Sequence, residues 1–263
     1  MVSKRDRLFH LLLWLPLVGL LLYFLSLLGA LTPFFAAETF FSTLTSPSVQ
    51  SAIRISLLTA TISTLLAMAI AVPVAYALSR FNFFGKRLID TVIDIPMLLT
   101  PVALGTLLLM LFNTDFGLWL ERMGFSVTYT INGVILAQFT VIVAIAIRLL
   151  KSSFDDISPR YEQVARTLGC SATRSFIRVT LPMARNGIMA ALVLTWARAI
   201  AEFGATVTLA GTAKGKTATL PTSIYLAMAS ADLEQAVVLI VILIVLAFAV
   251  LLATRLLATG ARP

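Results

Sequence analysis

The sequence predicts an all-α, polytopic membrane protein with six transmembrane helices. Three observations carry this prediction. Hydrophobic residues make up 59% of the 263 positions and charged residues only 12%, whereas about 25% of a soluble domain is charged. Apolar runs recur along the whole chain and approach the roughly 20 residues that a helix needs to cross a bilayer. The runs are also continuous at Leu11 to Leu13, Leu149-Leu150 and Val237 to Val250, where a membrane barrel would alternate.

The first span, near residues 9–31, follows Lys4, Arg5 and Arg7. A secretion signal has the same flank, but this apolar stretch is too long and no small-residue cleavage site follows, so the helix is expected to be retained. The first outer loop, 32–50, carries Glu38 and no base. The second span, 51–78, leads to Arg80, Lys86 and Arg87. The third, 91–113, holds Pro96 and Pro101. Two backbone donors are lost there and a kink is expected near the cytoplasmic half, which suits a gate, although prolines also serve packing in spans.

The fourth span, 131–150, is followed by Lys151, Arg160, Arg166, Arg174, Arg178 and Arg185. The fifth, 184–210, carries Arg198 and Glu202 near its middle, and the sixth, 235–257, leads to a tail with Arg255 and Arg262. Only Arg54, Arg122, Lys214 and Lys216 fall on the opposite side. The bias places both termini in the cytoplasm of a multi-pass cell-membrane protein. With neither repeats nor linkers, residues 1–263 read as one transmembrane domain. The formal charge of +8 lies in short loops beside spans, so no nucleic-acid partner is inferred; the bilayer is the partner. One cysteine, Cys170, and one histidine, His10, leave no disulfide, metal site or Cys/His nucleophile, and interfacial packing is expected for both.

Residues 158–182, S-P-R-Y-E-Q-V-A-R-T-L-G-C-S-A-T-R-S-F-I-R-V-T-L-P, form the longest polar stretch. Ser158 suits a helix N-cap and Pro159 a first helical position. Val164, Ala165 and Leu168 recur at helical spacing, and Gly169 can end the helix in a left-handed turn. A short amphipathic helix along the membrane surface is expected. A second, through Arg174, Phe176 and Ile177, should reach Leu181-Pro182, where the proline ends it. Together they present a knob to the cytoplasm.

Gln163-Val164-Ala165, then Gly169, then Val179-x-Leu181-Pro182 resembles the coupling loop of ABC importer permeases, with Glu162 one place before the family's usual glutamate and valine for its usual isoleucine. The resemblance implies a type I importer permease fold. It also implies that Glu162, Gln163, Val164, Ala165, Arg166, Thr167, Leu168 and Gly169 fit a cleft on an ATPase and transmit nucleotide-driven closure. The remaining alternative for this helix is a generic amphipathic surface helix.

The stretch Gly211-Thr-Ala-Lys-Gly-Lys-Thr217 misses the phosphate-loop pattern by one residue and falls on the outer side. No catalytic constellation is read, so the chain is expected to be no enzyme and to hold no cofactor. The resemblance then implies ATP and magnesium on a separate ATPase, a permease homodimer with two such subunits, and an extracytoplasmic substrate-binding protein.

Inside the spans only Arg198 and Glu202 are read as charged. Their i, i+4 spacing allows a neutral helical pair, or a pathway in which Arg198 meets an oxyanion and Glu202 tempers its grip. Gly204, Thr206 and their small neighbours allow close packing or a gate. Residues 197–211, A-R-A-I-A-E-F-G-A-T-V-T-L-A-G, with 215–225 and P-M-L-L-T-P-V-A-L-G at 96–105, are most similar to molybdate and tungstate permeases. Sulfate and thiosulfate permeases share the arrangement and remain the alternative cargo class. Lys214 and Lys216 would draw a dianion to the outer mouth, or simply lie solvated among head groups. An ATP-independent channel or secondary transporter would need no such loop and would show midplane sites in paired repeats.

Overall fold

The computed structural model describes residues 4–35 and 37–259. Side chains are described from Leu12 to Phe35, from Glu38 to Val250 and at Leu252. The basic residues of both ends, Lys4, Arg5, Arg7, Arg255 and Arg262, and His10 therefore lie outside the described side chains.

Among the described residues every regular element is a helix. Four are long and apolar enough to cross a membrane, and counting each of two bent pairs as one span gives six. The fold is that of a polytopic all-α membrane protein.

Helix α1, Lys4–Gly29, exposes every described side chain from Leu12 onward. It needs lipid or another chain as its solvent. A turn at Thr32–Phe34 and α2, Ala37–Thr45, lead to the long α3, Pro47–Arg80. The Ser46 hydroxyl accepts the Val49 N–H at 3.4 Å and Pro47 occupies the first turn, a proline position that costs no helical bond. At 34 residues α3 is about 50 Å long, well beyond a bilayer core of about 30 Å.

The main seam of the protein lies between α3 and α7, Ile131–Asp155. On α3 the buried side is Ala52, Ser56, Ala60, Ser63, Ala67, Ala71 and Ala75. Small residues at three- to four-residue spacing let two backbones approach, which is how helices hold together where lipid is as apolar as they are. Ser63 crosses the seam, donating to the Ile135 carbonyl at 2.9 Å.

The expected kink in the third span is a corner. Helix α4, Lys86–Leu98, meets α5, Pro101–Phe112, at 108°. Pro96 sits inside α4 without ending it. Pro101 forces the preceding Thr100 out of the helical region, to ψ 146°, because its ring clashes with a helical neighbour. Thr100 then caps the new helix, its hydroxyl accepting from Ala103 N–H at 3.3 Å. Helix α6, Asp115–Arg122, follows.

The polar loop folds as α8, Arg160–Thr167; α9, Ala172–Ser175; a π turn at Phe176–Thr180; and α10, Leu181–Met183. Pro182 lies within α10, one residue before the segment ends. The fifth span is also broken: α11, Arg185–Ile200, stops, residues 201–203 are not helical, and α12 runs Gly204–Ala210.

The segment after α12, read from the sequence as an outer loop, is folded into the body. Thr217, Ala218, Thr219, Leu220 and Thr222 are at most 3% exposed, and Leu220–Ala229 is a short helix, α13. The Leu220 N–H donates to Ser56 Oγ at 2.7 Å, so a buried hydroxyl of α3 satisfies a free donor at the start of α13. Helix α14, Leu233–Thr259, closes the fold. The ends of α3 and α7 share one pole with α8–α10, while α2, α13 and the start of α14 cluster at the other.

Candidate functional site

Helix α8 is attached by a charge. Glu162 is the buried residue of α8. Its Oε1 accepts from Arg80 Nε at 2.8 Å and its Oε2 from the Tyr76 hydroxyl at 2.6 Å. Arg80 also donates from Nη2 to the Ile157 carbonyl at 2.9 Å and from Nη1 to Ser79 Oγ at 3.1 Å. Ser79 donates to Asp155 Oδ1 at 2.6 Å, and Lys151 holds the other oxygen at 2.8 Å. Burial raises the Glu162 carboxyl pKa, and the hydrogen bonds from Tyr76 and Arg80 more than offset it, so the group titrates below its usual range.

Beneath this network Tyr76, Phe154 and Phe176 pack ring against ring, with centroids 4.4 to 6.3 Å apart. The loop is thus fixed to the ends of both seam helices. Gly169 adopts φ +90°, the left-handed turn read from the sequence, and a Cβ there would meet nothing within 4 Å.

The apolar side of α8 faces outward. Tyr161, Val164 and Leu168 are 54%, 58% and 81% exposed, although their spacing alone would place them against a surface. Ala165 is partly covered, and Gln163, Arg166, Thr167 and Gly169 are exposed. The result is an apolar ridge on an anchored base, rimmed by polar groups.

At the broken fifth span, Arg198 Nη1 lies 2.6 Å from Glu202 Oε2. The pair read from i, i+4 spacing forms, but across a break, since Glu202 lies beyond α11. Its other oxygen accepts the Ala205 N–H at 3.0 Å, satisfying a free donor of α12. Glu202 is 1% exposed and Arg198 34%. A guanidinium carries five N–H donors, so the arginine retains donors on its open side.

Gly204 and Thr206 are buried. A Cβ on Gly204 would stand 3.0 Å from Pro101 Cβ, and one on Gly105 only 2.8 Å from the Ala205 backbone. Both glycines therefore serve the crossing of α12 over α5. Pro96 stays in α4, removed from this crossing by the Leu99-Thr100 corner.

A second charged group escaped the reading of the spans. Arg148, on α7, donates from Nη1 to Asp90 Oδ1 at 2.6 Å, from Nε to Asp94 Oδ1 at 2.5 Å, and from Nη2 to the Asp90 carbonyl at 2.7 Å. The signal was present: two aspartates at i, i+4 opposite one arginine inside an apolar run. The roles of Tyr76, Ser79 and Arg80 left none, because their partners lie more than 70 residues away.

Residues 64–263 match the family described as the binding-protein-dependent transport system inner membrane component. The chain is 40% identical over 178 residues to the molybdenum transport system permease protein ModB of Haemophilus influenzae, covering 66% of this chain and 78% of that one. It is 38% identical over 241 residues to a probable molybdenum ABC transporter permease protein of Haloferax volcanii, covering 92% and 87%. It is 35% identical over 173 residues to the molybdate/tungstate transport system permease protein WtpB of Thermococcus kodakarensis, covering 66% of each. A bacterial ABC transporter that imports alginate, solved by crystallography, has the same fold, with a TM-score of 0.80 at 17% identity over 99% of this chain and 98% of that one.

Proposed function

The chain belongs to the binding-protein-dependent transport system inner membrane components, and from that membership we propose that it is the permease subunit of an ATP-driven ABC importer carrying a tetrahedral oxyanion, molybdate or tungstate, into the cell. It is a multi-pass membrane protein, and its part is to form a path. A separate ATPase binds ATP and magnesium. Two permease copies enclose one path, two ATPases dock on the cytoplasmic side, an extracytoplasmic binding protein delivers the cargo, and both chain termini lie in the cytoplasm.

The observation that carries this reading is the exposed ridge of Tyr161, Val164 and Leu168 on an α8 anchored through Glu162. An exposed apolar ridge rimmed by polar groups suits a surface that a partner covers, and the anchoring makes it able to transmit force. Glu162 to Gly169 form the coupling element. Arg198, with free donors, meets the oxyanion, while Glu202 neutralises it between passages. Pro96, Pro101, Gly204 and Thr206 shape and hold the broken helices around the path.

Reconstitution of the permease with its ATPase in lipid vesicles, followed by measurement of ATP-dependent molybdate uptake, tests this. A Cβ at position 169 meets nothing within 4 Å, so Gly169→Arg strains the backbone at positive φ. Loss of uptake in a complex that still inserts is the expected result. Unchanged uptake would remove the coupling role from this loop. Excess sulfate should compete weakly; equal competition would move the cargo to the sulfate class.

A further inference from the structure

Helix α4 has no buried residue. Leu88, Val92 and Ile95 on one side are exposed, and Ile93 adds a partly buried contact to the cluster at the α3 and α7 ends. Its polar attachment to the body is the Arg148 clasp, which grips carboxylates on successive turns of α4 and a backbone carbonyl as well.

A planar guanidinium bonded at Nε, Nη1 and Nη2 fixes its partners in angle as well as distance. A lone apolar contact would let α4 slide or roll. Three bonds to two turns transmit rotation and translation together.

The clasp lies between the two candidate sites. On α7, Arg148 precedes Asp155 by seven residues, about 10 Å of helix, and Asp155 joins the network that anchors α8. On the other side, α4 leads through the Pro101 corner into α5, which crosses α12 at Gly105 and Gly204, beside Glu202 and Arg198.

We infer that Arg148, Asp90 and Asp94 are positioning residues that carry movement of the coupling loop to the α4–α5 corner and so to the path. This inference rests on the proposed importer function. Simple neutralisation of Arg148 would require one carboxylate; two carboxylates leave the group with a net negative charge, and 26% to 40% of each side chain is exposed.

The test is the number of ATP molecules hydrolysed per molybdate imported by the reconstituted complex with its ATPase and binding protein. Asp90→Asn with Asp94→Asn should leave assembly and ATP hydrolysis in place while uptake falls, raising the ratio roughly fivefold or more. Arg148→Lys keeps the charge but loses the fork, and should give an intermediate ratio.

Uptake and hydrolysis falling together at a constant ratio, or neither changing, would overturn the inference. Should the double aspartate variant fail to assemble, the ratio of Arg148→Lys decides by the same criterion. A parent complex that imports no oxyanion would instead overturn the proposed function, so the two failures are separable.

Discussion

Glu162 brings its carboxylate into the contact between α8 and α3, where side-chain exposure is 11% for it and 7% for Arg80. Removing one partner of such a pair leaves the other buried without compensation, which costs about 1–3 kcal/mol or more. Glu162→Gln should therefore loosen the loop by about 2 kcal/mol, seen as faster hydrogen exchange across residues 156–184 with the spans unaffected. The sign of the pH dependence follows from the lowered carboxyl pKa. The anchoring is fully present above the unfolded value of about 4.3 and is lost as pH falls through the lower folded value. Protection factors across the loop, with the intrinsic pH dependence of exchange divided out, should stay constant down to the unfolded carboxyl value of about 4.3 and fall as the pH drops further, and Glu162→Gln should flatten that fall. At this scale Gly169 was legible, because a left-handed turn after a helical run is local chemistry. The function of Glu162 as an anchor was not, since Tyr76 and Arg80 come from α3.

The elements divide in the same way. The length of the apolar runs located α3, α7 and α14, and the cap and turn residues with helical spacing located α8. The corner between α4 and α5 and the break between α11 and α12 were read as a kink and as a continuous helix. Proline reports that a helix is interrupted, but the angle is set by what packs on each arm, here α7 on α4 and α12 on α5. The α5–α12 crossing offers a direct check. Gly105→Ala would place a Cβ 2.8 Å from the Ala205 backbone, forcing the helices apart at a cost of about 1–3 kcal/mol. The detergent-solubilised protein should unfold at a lower temperature, whereas Gly19→Ala, which meets nothing within 4 Å, should leave its melting unchanged.

For the whole molecule, the charge bias predicts which pole faces the cytoplasm. With Cys170 replaced by serine, a cysteine at Lys214 should react with a membrane-impermeant maleimide in intact cells, and one at Phe84 only after permeabilisation; the opposite pattern would invert the topology. The permease homodimer is tested by the mass of the solubilised complex from light scattering, with two permeases and two ATPases expected and one of each contradicting it. The sequence by itself determined that the chain lives in lipid, that it is helical, and where the polar loop folds as a short helix ended by Gly169, because hydropathy and turn chemistry are written in neighbouring residues. Only the tertiary structure decided that α8 turns its apolar side outward, that the start of α13 is buried, and that Arg148 grips two turns of α4. Those outcomes depend on contacts between distant segments, and a buried charge finds its partner in space.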